Sequence, residues 1–273
     1  MTIMPYHKQT VATKIANSFD KFANTAVTPT LLINHIRKLA GKDALITLAR
    51  SDNVDPNTLN INAYYDPDAD ENEEKPFELN IVFNTDDKNV NMDRSEWREF
   101  AIQVIGALKH EMIHQNQYRN RGYLAQRSYV SRIKDPVVKR SQEYLGHPDE
   151  VDAYSHDLAH EFIRKTKGDY EQVMRLLRNF SKTAMTKDQA GRLLSPNLFA
   201  YFKDFGFDTT HPVLKNLLKK TYRNVTMLKR KEERDARVAD RNYDIEKATE
   251  AFKLKQEALD KQTGSSYTAI IER

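Results

Sequence analysis

The residues best suited to chemistry in this chain lie close together, in the order His110-Glu111-Met-Ile-His114. The surrounding segment, residues 104–118, has helical periodicity, and side chains four residues apart on a helix lie on one face. Both imidazoles can therefore reach a single cation, and the Glu111 carboxylate can contact a water molecule bound to that cation. Paired histidines with an adjacent glutamate at this spacing are typical of Zn²⁺ sites that hydrolyse their substrates.

A hydrolytic zinc site requires three protein ligands and one open position for water. The chain has no Cys, so any metal must be held by His and carboxylates. One known arrangement takes a third His from the continuation of the same segment, but this chain has Gln117 and Asn120 where that pattern needs Gly and His. We therefore expect the third ligand to be a carboxylate from a later element.

Glu150 is the favoured third ligand because it opens a predicted helix that begins at about Asp149. A carboxylate in the first turn, on a face that otherwise packs inward, needs a partner. Ala153, one turn later, is small enough to let this helix pack against the motif helix. Other groups nearby remain alternatives: Glu143, His147, Asp149 and Asp152.

The motif helix needs a scaffold, and the sequence before it predicts one. Asp93 or Ser95 can cap this helix, and the helix is expected to end before Gly122. Two earlier segments, Leu59–Tyr65 and Phe77–Phe83, alternate apolar and polar residues and so predict a hairpin. The apolar run at residues 44–50 is interpreted as a further strand.

The remaining N-terminal patterns predict two helices and one long loop. Apolar residues at intervals of three and four predict a helix over residues 10–26, and Thr28 with Pro29 predicts a second that ends near Gly41. The acidic connection at residues 66–74 begins with Asp on alternate positions, as a calcium loop does. Since it lacks the Gly and the final Glu of such loops, we interpret it as a solvated hairpin loop.

Beyond the Glu150 helix, the pattern predicts helices over residues 170–180, 193–207 and 213–225. Residues 227–261 are densely charged with sparse apolar residues, which indicates a long solvated helix or weak coiled coil. The tail that begins at Gly264 is expected to be frayed. We predict a metal-binding domain at 1–168, a helical subdomain packed on it at 169–225, and a charged helix with its tail at 226–273. The predicted fold class is α+β and helix-rich.

Composition narrows the class of protein. Hydrophobic residues make up 39% and charged residues 30% of the 273 residues, which favours a core over part of the length and solvated helices elsewhere. The formal net charge of +4 permits acidic partners, nucleic acid among them, without requiring them. No segment has the apolar run of a signal sequence or of a membrane span, so we expect a cytoplasmic protein with no membrane partner.

Taken together, the two site motifs resemble those of the gluzincin metallopeptidases. His110, Glu111 and His114 match the His-Glu-x-x-His element, and Glu150-Val-Asp-Ala153 matches the Glu-x-x-Ala element on a second helix. The compact SprT-like and ImmA/IrrE-like branches are most similar, and small metallopeptidases encoded by tailed phages are similar too. The resemblance covers residues from about 29 to 162. It implies a zincin-like core, with helices and a small antiparallel sheet before the motif helix, followed by a C-terminal helical extension.

This resemblance implies a role for each site residue. His110, His114 and Glu150 would hold Zn²⁺. Glu111 would act as the general base, taking a proton from the zinc-activated water and returning it to the leaving amine. Thermolysin-type relatives place an Asp where this chain has Tyr154, so another residue must orient the first His, and Asp157 or Asp152 can do so. The candidates for ligand orientation or oxyanion stabilisation are Tyr118, Tyr154, His156 and Asp157.

The predicted function is a zinc-dependent endopeptidase that cleaves a protein or peptide substrate, with the C-terminal helices binding a partner or restricting access. One alternative, favoured by the long charged helix, is a structural or interaction protein, such as a phage particle component, on an inactive zincin scaffold. Another is an SprT-like protease acting on DNA-bound protein, with the basic stretch 119–140 holding the nucleic acid. If that stretch does not bind nucleic acid, it is expected to be a solvated loop beside a cleft. A phage-encoded protein would act in the host cytoplasm.

Overall fold

The computed structural model describes residues 25–41, 44–72, 74–180 and 195–271, together with positions 14 and 186. Within the last helix, side chains are described without gaps as far as Val238. The helix predicted over residues 10–26 lies almost wholly outside the described residues. Of its positions, Lys14 is helical, whereas Ala26 is the first residue of a strand.

The described chain is α+β and helix-rich. Its strands are β1 (Ala26–Val27), β2 (Ala44–Arg50), β3 (Leu59–Tyr65), β4 (Phe77–Phe83) and β5 (Val90–Asn91). Its helices are α1 (Pro29–Ala40), α2 (Pro67–Glu71), α3 (Arg94–Asn120), α4 (Pro136–Leu145), α5 (Pro148–Lys165), α6 (Tyr170–Phe180), α7 (Pro196–Asp204) and α8 (Pro212–Ile271).

The larger sheet has three strands in the order β2-β4-β3, and a separate ladder pairs β1 with β5. β3 and β4 are antiparallel, with Leu59 opposite Phe83, so the predicted hairpin is confirmed. β2 is also confirmed as a strand, but it pairs in parallel with β4, with Ala44 opposite Phe77. The sheet is therefore mixed, whereas the resemblance implies an antiparallel one, and β3 lies at its edge.

One face of this sheet packs against helices α1 and α3. Alternate side chains of the strands, among them Ile46, Leu79 and Ile81, are buried there, as the two-residue period of a strand requires. Ile36 of α1 and Val104 of α3 belong to the same core cluster. Because α3 continues for several turns beyond Val104, this packing sets the position of the two histidines that follow on the same helix.

Local sequence determines where α3 begins and ends. Asp93 is the N-cap, since its carboxylate accepts hydrogen bonds from the backbone N–H groups of Ser95 and Glu96. The Glu96 side chain in turn accepts one from the N–H of Asp93, which completes a capping box. The helix ends at Asn120, before Gly122, whose φ of +60° lies in the left-handed region that favours glycine. Both predicted ends are confirmed.

A second hydrophobic cluster is built by α5, α6, α7 and the first part of α8. Helix α5 lies between the two clusters: Leu158 and Phe162 are buried in the second, while Glu150 and Asp157 contact α3. The predicted helix over residues 170–180 is confirmed, and the one predicted over 193–207 is shorter, at Pro196–Asp204. Since α5 contacts α3 and also belongs to the second hydrophobic cluster, the domain boundary at residue 168 stays a prediction.

Helix α8 runs without interruption from Pro212 to Ile271, whereas the sequence pattern predicts two helices and a frayed tail. Neither Pro nor Gly occurs between Pro212 and Gly264, so nothing in that stretch interrupts the backbone hydrogen bonds. At 1.5 Å per residue the helix is roughly 90 Å long. Its first part packs against α5 and α6. None of the described helices, α8 included, has the apolar length that crossing a membrane requires.

The acidic connection between β3 and β4 is more ordered than the predicted solvated loop. It forms the short helix α2, on which Asp68 is exposed but Asp70 is buried. The Asp70 carboxylate accepts hydrogen bonds from Arg119 (2.6 and 2.7 Å), Gln115 (2.8 Å), Tyr65 (3.0 Å) and Tyr123 (2.9 Å). These contacts tie the edge of the sheet to the last turns of α3, directly beyond the histidines.

Replacing Asp70 by Asn is expected to lower the free energy of unfolding at pH 7 by about 1–3 kcal/mol, because a buried carboxylate loses its charge-assisted hydrogen bonds. Burial raises the pKa of Asp70, but the hydrogen bonds from Arg119 and its neighbours outweigh burial and lower the pKa to about 2. Since folding lowers this pKa, the stabilisation is fully present above about pH 4 and is lost as the pH falls towards 2.

Urea denaturation of the unaltered protein and of Asp70→Asn, at pH 7 and at pH 3, measures the contribution of the Asp70 carboxylate. The difference in free energy of unfolding between the two proteins should be smaller at pH 3. The matched control is Asp68→Asn, which removes an exposed carboxylate from the same short helix. An equal loss of stability in both variants, or no loss in either, would contradict the role assigned to Asp70.

Candidate metal centre

The two histidines of the motif lie side by side on α3, as their spacing predicts. Their ring centroids are 4.9 Å apart, with the ring planes 73° from each other. Both residues are almost buried, with 8% of His110 and 9% of His114 exposed. They are therefore not a pair of surface histidines, and buried imidazoles need polar partners.

Glu150 is the partner that both imidazoles share. It lies in the first turn of α5, and its two carboxylate oxygens are each 3.4 Å from one Nε2 atom, that of His110 and that of His114. One ligand atom from each of the three residues can be chosen so that all lie within 4.8 Å of one another. Ala153, one turn later on α5, is fully buried, as the close approach of α5 to α3 requires.

The other candidate ligands have different partners. Asp149 forms a two-pronged ion pair with Arg121, at 2.7 and 2.8 Å. Asp152 forms an ion pair with Lys220 of α8, at 2.6 Å. The remaining candidates, Glu143 and His147, accept hydrogen bonds from backbone N–H groups. Glu150 is thus the candidate that the structure brings to the two imidazoles.

The three side chains fit a tetrahedral zinc ion. Zinc bonds to His nitrogen and carboxylate oxygen are about 2.0–2.2 Å long, which places neighbouring ligand atoms of a tetrahedron about 3.4 Å apart. Each Nε2 lies at this distance, 3.4 Å, from a different oxygen of Glu150. Glu150 Oε2 is also buried without a hydrogen-bond partner among the described residues, a need that a cation would satisfy. Three ligands leave one position open, unlike the closed set of a structural zinc site.

Each imidazole is held through its other ring nitrogen. Asp157 Oδ2 lies 2.7 Å from His110 Nδ1, which leaves Nε2 of that ring to face the metal position. The side-chain oxygen of Gln117 lies 2.9 Å from His114 Nδ1, and its amide group donates to Asp152 (3.3 Å). Asp157 therefore contacts a candidate ligand directly, whereas Asp152 does so through Gln117. Sequence reasoning missed Gln117, although its place one turn after His114 was an available signal.

The electrostatics of the site favour a bound cation. Burial lowers the pKa of His110, but the neighbouring carboxylates of Asp157 and Glu150 outweigh burial and raise the pKa to about 10. Burial raises the pKa of Glu150, but the two imidazoles outweigh it and lower the pKa to about 2. The carboxylate thus stays ionised and attracts positive charge onto the imidazoles. A metal ion can supply that charge in place of protons.

Glu111 is half-buried beside the two imidazoles. Burial raises the pKa of its carboxyl, and the charges of His110 and His114 oppose this without cancelling it. The backbone amide of Tyr65, at the end of β3, also acts on this carboxyl and favours its ionised form. A carboxyl group with a raised pKa can both accept and return a proton under ordinary conditions.

Among the residues predicted to orient a ligand or to stabilise the oxyanion, Tyr154 lies at the metal centre. Its ring packs against that of His110 in an edge-on arrangement, with the centroids 4.7 Å apart. Tyr118 instead packs against Tyr65, at 5.7 Å, and lies under the guanidinium group of Arg121. Asp157 is the partner of His110 described above. His156 does not reach the metal centre and instead lines a cavity beside α8.

Tyr144, the penultimate residue of α4, is a neighbour of the site that sequence reasoning missed. Its hydroxyl lies near the side chains of Glu150 and Tyr154. Burial raises the pKa of this hydroxyl, and the charge of Glu150 raises it further. About half of the residue, 51%, is nevertheless exposed, so it lies at the mouth of the site. Nothing in the local sequence distinguishes it, because it reaches Glu150 only through the packing of α4 on α5.

Strand β3 passes beside Glu111 with one edge unpaired in the described sheet. The N–H of Asp66 bonds to the carbonyl of Pro76 on the β4 side, at 2.8 Å. Because backbone groups alternate in direction along a strand, those of Tyr65 and Ala63 point to the free edge. The free edge therefore leads along the sheet towards Glu111.

Comparisons of the chain with protein-family models, with curated proteins and with solved structures find no match. The function of the chain is therefore inferred from the geometry of this centre. Its elements are two imidazoles and a carboxylate around one point, a second carboxylate beside them, and the partners that hold the rings.

Proposed function

We propose that the protein is a zinc-dependent endopeptidase. The observation that carries this proposal is the position of Glu150, which comes from a different helix and lies 3.4 Å from both His110 and His114. Two histidines four residues apart are a local pattern, whereas the arrival of a carboxylate from another helix beside both rings depends on the fold. The small sheet before the motif helix is in keeping with the zincin-like core that the resemblance implies.

The side chains of this chain are arranged for the proton transfers of amide hydrolysis. A bound zinc ion supplies a Lewis acid that polarises the substrate carbonyl and lowers the pKa of water. Glu111 accepts the proton of the attacking water and then donates it to the leaving nitrogen, a dual role that its raised pKa suits. Asp157 and Gln117 hold the two imidazoles in fixed orientations throughout.

Negative charge that develops on the substrate oxygen needs hydrogen-bond donors. Tyr144 and Tyr154 can supply them, because burial raises the pKa of each hydroxyl and keeps it protonated at neutral pH. Tyr144 is the better placed of the two, since it is half-exposed and its hydroxyl lies near Glu150.

The free edge of β3 favours an extended peptide as the substrate. An extended peptide can add to a sheet edge through backbone hydrogen bonds, whatever its side chains. The outward groups of Ala63 and Tyr65 offer such bonds on the strand that ends beside Glu111. A peptide bound there would carry one of its carbonyl groups past the metal position.

The two alternative functions differ in their support. The version in which residues 119–140 hold nucleic acid loses part of its basis, because Arg119 and Arg121 form ion pairs with Asp70 and Asp149. The version in which the scaffold is inactive would bind zinc without hydrolysis. Measuring metal and cleavage on the same sample separates it from the endopeptidase.

Full-length protein, stripped with a chelator and dialysed, is expected to bind about one zinc per chain by elemental analysis, since it has one such ligand set in its described part. Cleavage of an unstructured protein such as casein should be absent after stripping and should return when zinc is added. Absence of zinc binding would contradict the metal centre. One bound zinc without cleavage would support the inactive scaffold instead.

A further inference from the structure

A cavity of about 580 Å³ lies between α5 and α8, on the side of α5 that carries His156. Four cationic side chains of α8 line it: Arg230, Lys231, Arg234 and Arg237. No carboxylate is among the described residues that line it. We call this cavity, with its four cations, the cationic groove.

The cations of the groove are not used to hold the fold together. Elsewhere on α8, Lys220 pairs with Asp152 at 2.6 Å and Lys229 with Glu171 at 2.7 Å, and these ion pairs join α8 to its neighbours. In the groove, by contrast, Arg230 and Lys231 have no carboxylate partner among the described residues. Arg234 has one, the adjacent Asp235 at 3.7 Å, but both of those side chains are exposed. Exposed pairs of this kind contribute little to stability.

The three arginines form a row along one side of the helix. Intervals of four and three residues, from Arg230 to Arg234 and on to Arg237, keep side chains on the same face. The row spans roughly 10 Å at 1.5 Å per residue. Like charges at this spacing repel and destabilise an isolated helix slightly. Apart from the pair of Arg234 with Asp235, the described contact of the row is that of Arg237, whose Nε donates to the backbone carbonyl of Glu233 at 3.1 Å.

Cationic side chains near the groove also reach α5 from the α3 side. His160 lies one turn after His156 on α5. Burial lowers the pKa of His160, and the charges of Lys109 on α3, His156 and Lys231 lower it further, with Asp157 the opposing group. Lys109, His156 and Lys231, on three different helices, thus lie close enough to His160 to oppose a positive charge on it.

We propose that the cationic groove binds the phosphate backbone of a nucleic acid. A row of separate charges over roughly 10 Å matches an extended polyanion better than a single small anion, and one DNA strand carries about three phosphates in that length. Arginine predominates in the row, and its planar group binds phosphate oxygens in pairs. Met227, exposed in the same wall, adds apolar surface against which sugars and bases can pack.

This proposal is independent of the peptidase activity. Helix α5 presents Glu150 and Asp157 to the metal centre and His156 to the groove, so the two sites lie on different faces of one helix. Nucleic acid bound in the groove would leave the metal ligands in place. Glu111→Gln is therefore expected to bind nucleic acid as the unaltered protein does.

The test measures binding of a fluorescently labelled 20-nucleotide DNA, single- and double-stranded, to the full-length protein by anisotropy between 50 and 200 mM salt. With three to four phosphates contacted, the logarithm of the duplex binding constant should fall with a slope of about −3 against the logarithm of salt concentration, so affinity drops about 60-fold over this range. Arg230→Gln/Arg234→Gln should lower affinity at least tenfold at 50 mM salt and make the slope shallower by about two.

The matched control is Lys215→Gln/Lys219→Gln, which removes two exposed cations at the same spacing from the same helix. It should leave the slope unchanged. A second groove variant, Lys231→Gln/Arg237→Gln, should lower the affinity and the slope in the same way as the first. Circular dichroism of both variants checks that their helix content is unchanged. Absence of binding at 50 mM salt, equal losses in groove and control variants, or tighter binding of polyglutamate than of DNA with equal charge would each overturn the proposal.

Discussion

Replacing Glu111 by Gln is expected to lower kcat for peptide hydrolysis by about 10²- to 10⁴-fold while zinc stays bound, because the variant loses proton transfer but none of the metal ligands. The amide is nearly the same size as the carboxyl, so packing beside the imidazoles is kept. It cannot take a proton from water or return one to the leaving nitrogen. The loss should therefore appear mainly in kcat, with KM little changed.

The measurement compares steady-state cleavage of one peptide by both proteins, with zinc content determined on the same samples. Glu99→Gln is the matched control, since it changes an exposed glutamate on the same helix, α3, that pairs with Arg164. The control should keep full activity. Equal rates for Glu111→Gln and the unaltered protein would show that the cleavage comes from a contaminating protease or that another residue is the base.

The parts of the fold that local sequence determines were predictable. The capping box at Asp93, the left-handed Gly122 and the period of two in β3 and β4 each depend on residues a few positions apart. Such signals do not require knowledge of what the element packs against. For the same reason, the bounds of the helix over residues 170–180 agree with its apolar spacing.

The parts that depend on distant partners were not predictable in the same way. The parallel pairing of β2 with β4 follows from how the sheet assembles, and a strand pattern carries no direction. Asp70 was interpreted as part of a solvated loop because its partners, Arg119 and Gln115, are more than forty residues away in sequence. A run of acidic residues indicates solvent exposure on average and does not identify the one member that is buried.

The candidate site likewise combines residues that local sequence predicts with residues that only the folded chain brings together. His110 and His114 are one turn apart, so their convergence needs only a helix, whereas Glu150 had to be chosen from five candidates by argument about the start of α5. The structure brings Glu150 to the imidazoles and gives the others separate partners. Tyr144 carried no local signal at all, because its contact with Glu150 exists only after α4 and α5 have packed.

Replacing Glu150 by Ala is expected to weaken zinc binding by more than about 100-fold, since loss of residues that only orient the ligands already costs 10- to 100-fold. Two imidazoles alone do not make a catalytic zinc site, and the variant also loses the negative charge that attracts the cation. Hydrolysis should disappear together with the metal. Competition with a chelating dye of known zinc affinity measures the change.

Thermal unfolding with and without zinc separates loss of a ligand from loss of the fold. A ligand that binds the native state alone stabilises it by about 2.7 kcal/mol at a concentration one hundred times its Kd, so zinc should raise the Tm of the unaltered protein. In Glu150→Ala that rise should be absent. The metal-free Tm should itself fall, because the two nearly buried imidazoles lose the carboxylate they share, so the zinc-dependent rise in Tm is the quantity that reports loss of a ligand.

Glu143→Gln changes a carboxylate that the sequence also offered as a ligand, but that the structure pairs with a backbone N–H of the preceding loop. It should keep both the zinc affinity and the zinc-dependent rise in Tm. If Glu143→Gln loses zinc while Glu150→Ala retains it, then α5 does not supply the third ligand. In that case the 3.4 Å contacts of Glu150 are ordinary ion pairs with protonated histidines, and the case for hydrolysis at this centre fails with them.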